Sequence, residues 1–262
     1  GGNNTAVGVN TLNSAAAAVT DTVAIGANAL TSALTTGANN TVAVGSSALT
    51  ALTSGAGNVA VGSSALAAAT TGASNTALGR NAGSTITTGS YNTLIGDNTA
   101  IAATSTLNTI VGRSSGGTSL GTGNTVVGPT SLNNAASTGT YNIVVGRGSM
   151  TAAVTNNYNI AIGNSTLINL TTGANNTAIG NTTNAVNVTT GSNNVSVGTN
   201  TRVGATSNSN VSIGTNVGSG TLSSYNVGIG SNIMANTSAA LVGNVAIGRG
   251  VLNNAGLTAS NT

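Results

Sequence analysis

Asn58-Val59-Ala60-Val61-Gly62, Asn75-Thr76-Ala77-Leu78-Gly79 and Asn176-Thr177-Ala178-Ile179-Gly180 are three copies of one phrase: Asn, a β-branched residue, a small or aliphatic one, an aliphatic one, then Gly. The phrase recurs along the whole chain. Its closing glycines are Gly8, Gly26, Gly45, Gly62, Gly79, Gly96, Gly112, Gly128, Gly146, Gly163, Gly180, Gly198, Gly214, Gly230 and Gly248, which makes 15 copies spaced 16 to 19 residues apart in 262 residues. A period of this size marks a solenoid: one repeat cannot bury its apolar face alone, whereas a stack of repeats can. No stretch escapes the period, so residues 1–262 read as a single β-solenoid repeat domain without a linker.

The columns of the repeat carry the physics. The residue before the glycine is Val, Ile or Leu in every copy, and the residue three before it is Thr, Val or Ile. Two apart, these positions share one face of a strand, and β-branched side chains suit a pleated, half-buried surface. The expected fold is therefore all-β, a parallel β-solenoid of about 15 coils of about 17 residues each. Val44, Val61, Leu78, Ile95, Val111, Val127, Val145, Ile162 and Ile179 are its expected core ladder. Four before the glycine stands Asn, except at Thr22 and Thr41, and stacked asparagines can bond their amides along the stack. The recurring glycine, as at Gly45, Gly62, Gly79, Gly96, Gly112, Gly128, Gly146, Gly163 and Gly180, marks a corner that needs positive φ or no side chain.

A second half-coil follows. Leu12, Leu30, Leu49, Leu66, Leu132, Leu167 and Leu252 lie four after a closing glycine and supply a second inward apolar column. A turn glycine recurs seven before it, as at Gly55, Gly72 and Gly89. Each coil then reads as strand, corner, shorter strand, turn, and 15 coils one strand spacing apart would make a rod of roughly 70 Å.

The residue two before the glycine points away from the expected core. Its column runs Ala6, Ala24, Ala43, Ala60, Ala77, Leu94, Ile110, Val126, Val144, Ala161 and Ala178 before two serines appear. An apolar stripe of this kind in solvent marks an interface, so Leu94, Ile110, Val126 and Val144 are the expected self-association residues. The polar columns are ordered as well. Tyr91, Tyr141, Tyr158 and Tyr225 all stand five before a glycine, where corner packing is the expected role. Arg80, Asp97 and Arg113 stand one after it in consecutive copies, as a plus-minus-plus surface ladder.

Composition removes several function classes. There are five Arg, two Asp and no Lys, Glu, His or Cys, giving a net charge of +3 without any basic run. Electrostatic capture of nucleic acid has little to act through. General acid–base or nucleophilic catalysis lacks a residue of tunable pKa, because Asp21 and Asp97 fall in different coils. No catalytic site, cofactor or metal site is expected, since His and Cys ligands and clustered carboxylates are missing. No apolar run nears the roughly 18 residues that insert into a membrane. The chain opens directly into a motif, and Asn261-Thr262 falls where the next copy would start, which reads as a window cut from a longer repetitive protein.

The phrase with its following residues, as in Asp21-Thr22-Val23-Ala24-Ile25-Gly26-Ala27-Asn28-Ala29-Leu30, resembles the head repeat of YadA-type trimeric autotransporter adhesins, and also the repetitive shafts of some phage tail fibres. The resemblance covers essentially the whole chain, although the repeat here is longer. It implies a left-handed parallel β-roll, association of three chains, and an extracellular fibre on a cell or virion surface that meets a host-surface or matrix receptor. The expected function is accordingly a structural or adhesive fibre segment whose partners are other copies of itself. The alternatives are an ice-binding solenoid, which wants an outward Thr-x-Thr ladder, and a glycan-binding module, for which the tyrosine column could serve as a stacking row.

Overall fold

The computed structural model describes residues 2–13, 19–32, 34–35, 37–152, 154–183, 189–218, 223–234 and 241–252. It is all-β, with no helix among the described residues. The chain divides into two compact units, Gly1–Ser137 and Thr138–Thr262. In the first, the strands are β1 (Thr5–Val7), β2 (Val23–Ile25), β3 (Val42–Val44), β4 (Val59–Val61), β5 (Thr76–Leu78), β6 (Thr93–Ile95), β7 (Thr109–Val111) and β8 (Thr125–Val127). In the second they are β9 (Ile143–Val145), β10 (Ile160–Ile162), β11 (Thr177–Ile179), β12 (Val195–Thr199), β13 (Val211–Thr215), β14 (Val227–Ser231) and β15 (Val245–Arg249). Within each unit every strand pairs in parallel with the next, phrase residue against phrase residue, as in Val42↔Val59 and Val44↔Val61. The parallel β-solenoid expected from the repeat is the fold observed. Asn261 and Thr262, where a further copy was expected to start, lie outside the described residues.

The two faces of the strand are the reverse of the expectation. None of Val44, Val61, Leu78, Ile95, Val111, Val127, Val145, Ile162 and Ile179 is buried, and Leu78, Val127 and Ile179 are 47%, 38% and 36% exposed. Leu94, Ile110, Val126 and Val144 are fully buried inside the coil and cannot serve as a self-association stripe. The cause lies in the company each column keeps. Residues four before, two before and at the closing glycine share a face, and the asparagine column on that face is buried throughout, from Asn58 to Asn244. A carboxamide that bonds the next coil's backbone has to sit inside the coil, and it takes the middle strand residue in with it.

That interior is filled by three further columns. Ala29, Ala48, Ala65 and Ala82 follow the corner, then Leu30, Leu49 and Leu66, and Leu34, Leu52 and Ile86 close the far side, all of them buried. In several coils volume is traded between columns, although Ala77 pairs with Gly83 and Val126 with Leu132. Where the middle strand residue is Ala24, Ala43 or Ala60, the residue four after the glycine is Leu. Where it grows to Leu94 and Ile110, that position shrinks to Ala100 and Gly116. Gly228 repeats the trade: a Cβ there would lie 2.7 Å from Cγ1 of Val217, which already occupies the space. Conserved total volume is what a close-packed interior requires.

The asparagine ladder satisfies its own polar groups. The Nδ2 of Asn176 donates to Asn159 Oδ1 at 3.1 Å and to the Gly191 carbonyl at 2.8 Å. Its Oδ1 accepts from the Asn194 backbone N–H at 3.1 Å and from Asn194 Nδ2 at 3.0 Å. The same pattern links Asn58, Asn75, Asn92, Asn108 and Asn124 in the first unit. Thr22 and Thr41 keep only a local bond, from Oγ1 to the carbonyl two residues back.

The closing glycines share one conformation, with φ between 129° and 145° in all 15. L-residues rarely adopt that region. A second constraint coincides with it: a Cβ on Gly26 would lie 2.6 Å from the Gly45 carbonyl oxygen in the next coil. The corner thus needs glycine for its dihedral and again for the spacing of coils. The remaining corners use left-handed residues, among them Asn28, Ser64, Leu66, Tyr91 and Asn98, with φ of 49° to 60°.

Candidate interaction faces

The outward surface of each sheet holds the residues three before and one before the glycine. In the second unit these are Ile143, Ile160, Thr177, Val195, Val211, Val227 and Val245 beside Val145, Ile162, Ile179, Val197, Ile213, Ile229 and Ile247, all half-buried or exposed. In the first unit the glycine-proximal column is aliphatic from Val7 to Val127, and its companion turns to threonine at Thr76, Thr93, Thr109 and Thr125. Strands about 4.8 Å apart carry these columns about 7 Å apart. The eight strands of the first unit then present a strip about 34 Å tall and roughly 10 Å wide, or about 340 Å² in footprint. Threonine fills the companion column at Thr5, Thr76, Thr93, Thr109 and Thr125, so the apolar part of this footprint is smaller, and contiguous apolar patches on a surface are often functional.

The margins of the strip differ. Tyr91 and Leu107, 63% and 59% exposed, stand two residues ahead of Thr93 and Thr109 and extend the apolar surface there. Tyr141, Tyr158 and Tyr225 occupy the same column at 49%, 58% and 66% exposure, so the tyrosines stand in solvent instead of packing the corner from within. The rings of Tyr141 and Tyr158 stack with centroids 5.5 Å apart and planes 5° from parallel. On the other margin Arg80 pairs with Asp97 at 2.9 Å, with side chains 60% and 34% exposed, while Arg113 forms no ion pair with Asp97. An exposed pair like this contributes little to stability.

Two further observations bear on chemistry. Among the described residues no group of three or more His, Cys, Asp or Glu could hold a metal ion. No helix among them is long and apolar enough to cross a membrane. Sequence reasoning missed the outward strip because both faces of the phrase are apolar, and alternation alone does not say which one is inside. The signal that could have found it was the asparagine column, whose parity marks the buried face. No protein-family model matches the chain, and neither a curated protein nor a solved structure is significantly similar to it.

Proposed function

We propose that this chain is a non-catalytic structural segment of an extracellular fibre, at a cell or virion surface, whose copies associate through the outward faces of their sheets, three around a common axis. The observation that carries the reading is the outward aliphatic surface of each unit: a glycine-proximal column with members such as Leu78, 47% exposed, in the first, and two columns with members such as Ile143 and Ile179, 41% and 36% exposed, in the second. Removing such a surface from water is favourable at about 25 cal/mol per Å², and a flat ladder of β-branched side chains presents the same pleated relief to another copy. The likeness of the repeat to YadA-type head repeats supports three-fold association and a host-surface or matrix receptor as the further partner. The absence of Lys, Glu, His and Cys from the sequence supports a passive role.

The test is a pair of substitutions on adjacent residues. Ile95→Arg places a charge on the strip, and it should weaken assembly at least about 100-fold while the fold persists. Leu94→Arg places the charge inside the coil and should destroy the fold itself. Equal solution mass for wild type and folded Ile95→Arg would refute the reading.

A second reading rests on Thr76, Thr93, Thr109 and Thr125, which are paired in register on four consecutive strands. This outward ladder supplies one of the two threonine columns an ice-binding Thr-x-Thr face would want, the other being aliphatic at Leu78, Ile95, Val111 and Val127. Thermal hysteresis from dilute, monomeric protein would favour it, and none would be seen if the strip is an assembly face.

A further inference from the structure

One coil of the first unit lacks the side chains its neighbours carry. Gly117 stands five after the Gly112 corner, where the outward residue is Ala67 after Gly62 and Asn133 after Gly128, while Gly116 beside it takes the inward position held by Leu66 and Leu132 and its space is filled by Ile110. The two glycines are the floor of a notch of about 240 Å³. Its walls come from the adjoining coils, Asn98 and Ala100 on one side and Asn133 and Ala135 on the other, with Ser114 and Thr118 at the two ends of the floor. The floor is backbone by necessity. A Cβ on Gly116 would collide with the Ala100 carbonyl, and one on Gly117 would collide with that of Asn134.

The polar groups around the notch are neutral and largely unspent. Among the described residues the side chains of Ser114, Thr118 and Asn133 make no hydrogen bond. Asn98 uses its Oδ1 to accept from Asn81 and one N–H to donate to Asp97, which leaves the second N–H. Ala100 and Ala135 supply side-chain carbon surface beside the methyl of Thr118. No charged side chain lines the notch, which removes the usual recognition of phosphate or carboxylate. No carboxylate lines it either, which removes a cation. What remains is a set of hydroxyl and carboxamide donors and acceptors, with small apolar patches between them. That combination complements a neutral ring bearing several hydroxyls, which has polar edges and C–H faces.

We propose that this notch binds one neutral pyranose residue, free or at the end of a glycan. Asn133, Thr118, Ser114 and the free N–H of Asn98 take the ring hydroxyls, and Ala100 and Ala135 meet its C–H face. The notch lies outside the outward sheet strip, so the proposal is independent of the assembly reading and survives its failure. An open notch without an aromatic platform binds weakly, and its dissociation constant should be on the order of millimolar.

The experiment is ligand-observed NMR saturation transfer on the full chain against a panel of neutral hexoses and hexosamines, with sialic acid as an anionic arm. At least one neutral sugar should show transfer, and Asn133→Leu and Thr118→Val should each reduce its apparent affinity at least about 5-fold. Ser63→Ala, on an exposed residue away from the notch, should leave it unchanged. Both notch substitutions are on exposed side chains, and unchanged circular dichroism confirms that each variant folds. The proposal is overturned by absence of transfer from every neutral sugar, by binding of sialic acid alone, or by binding that persists in Asn133→Leu with Thr118→Val.

Discussion

Replacing Asn176 by alanine removes four hydrogen bonds from a site with no access to water. Asn176 and Asn194 are both fully buried. The substitution deletes the Nδ2 donations to Asn159 Oδ1 and to the Gly191 carbonyl, and it deletes the acceptor for two N–H groups of Asn194. Asn194 Nδ2 keeps a bond to the Ser207 carbonyl at 2.8 Å, but the Asn194 backbone N–H loses its only partner. A buried donor left unpaired costs about 1–3 kcal/mol, and each net bond lost costs about 1 kcal/mol. The sum is about 4–6 kcal/mol. Asn176→Thr should cost less, because Thr22 and Thr41 fill this column in two coils with their own local bond. Urea unfolding gives the free energies, and native-state hydrogen exchange gives the local effect. The Asn194 amide should lose protection in the alanine variant well before amides several coils away, because a solenoid's coils interact chiefly with their nearest neighbours. A loss below about 1 kcal/mol with the Asn194 amide still protected would refute the ladder as a source of stability.

The corner glycines allow a matched comparison. Gly79→Ala should cost several kcal/mol, since φ is 136° and the new Cβ would lie 2.7 Å from the Gly96 carbonyl carbon. Gly148→Asn should cost less than about 1 kcal/mol, because φ there is 60° and nothing lies within 4 Å; thermal melts of both variants check this. Gly228→Ala should destabilise by about 1–3 kcal/mol through overpacking against Val217. Adding Val217→Ala should recover part of that loss, and a double-mutant cycle measures the coupling. Ile110→Asp should unfold its coil, whereas Val111→Asp should leave the circular dichroism spectrum intact.

The repeat period was enough to read the parallel β-solenoid, because spacing and in-register stacking are properties of sequence alone. It was also enough to place the corner glycines, since a recurring glycine at one point of every repeat marks a backbone position, here with φ of 129° to 145°, that other residues rarely adopt. The strand faces were not legible from hydrophobicity. In Thr109-Ile110-Val111 all three residues could pack inside, and their order does not distinguish the faces. Asn108 does distinguish them, because its amide bonds Asn92 one coil away and fixes the parity of everything that follows. The left-handed corners at Leu30, Leu66 and Tyr91 were invisible for a different reason: local propensity disfavours these residues there, and burial of the leucines or stacking of the coils overrides it. The notch at Gly116-Gly117 shows only once adjacent coils are laid side by side.

In the proposed assembly the outward strip is exposed on one chain and covered by other copies. The chain contains no cysteine, so Ile95→Cys provides a single thiol on that strip. Its labelling rate by a neutral maleimide should be measured from nanomolar to high micromolar protein concentration. The account predicts fast labelling at the dilute end, where the chain weighs 24.7 kDa, and protection that grows with concentration as a species of three times that mass forms. Labelling that stays fast at every concentration would contradict the assembly face, and protection that persists in the dilute monomer would contradict the outward orientation of the strip.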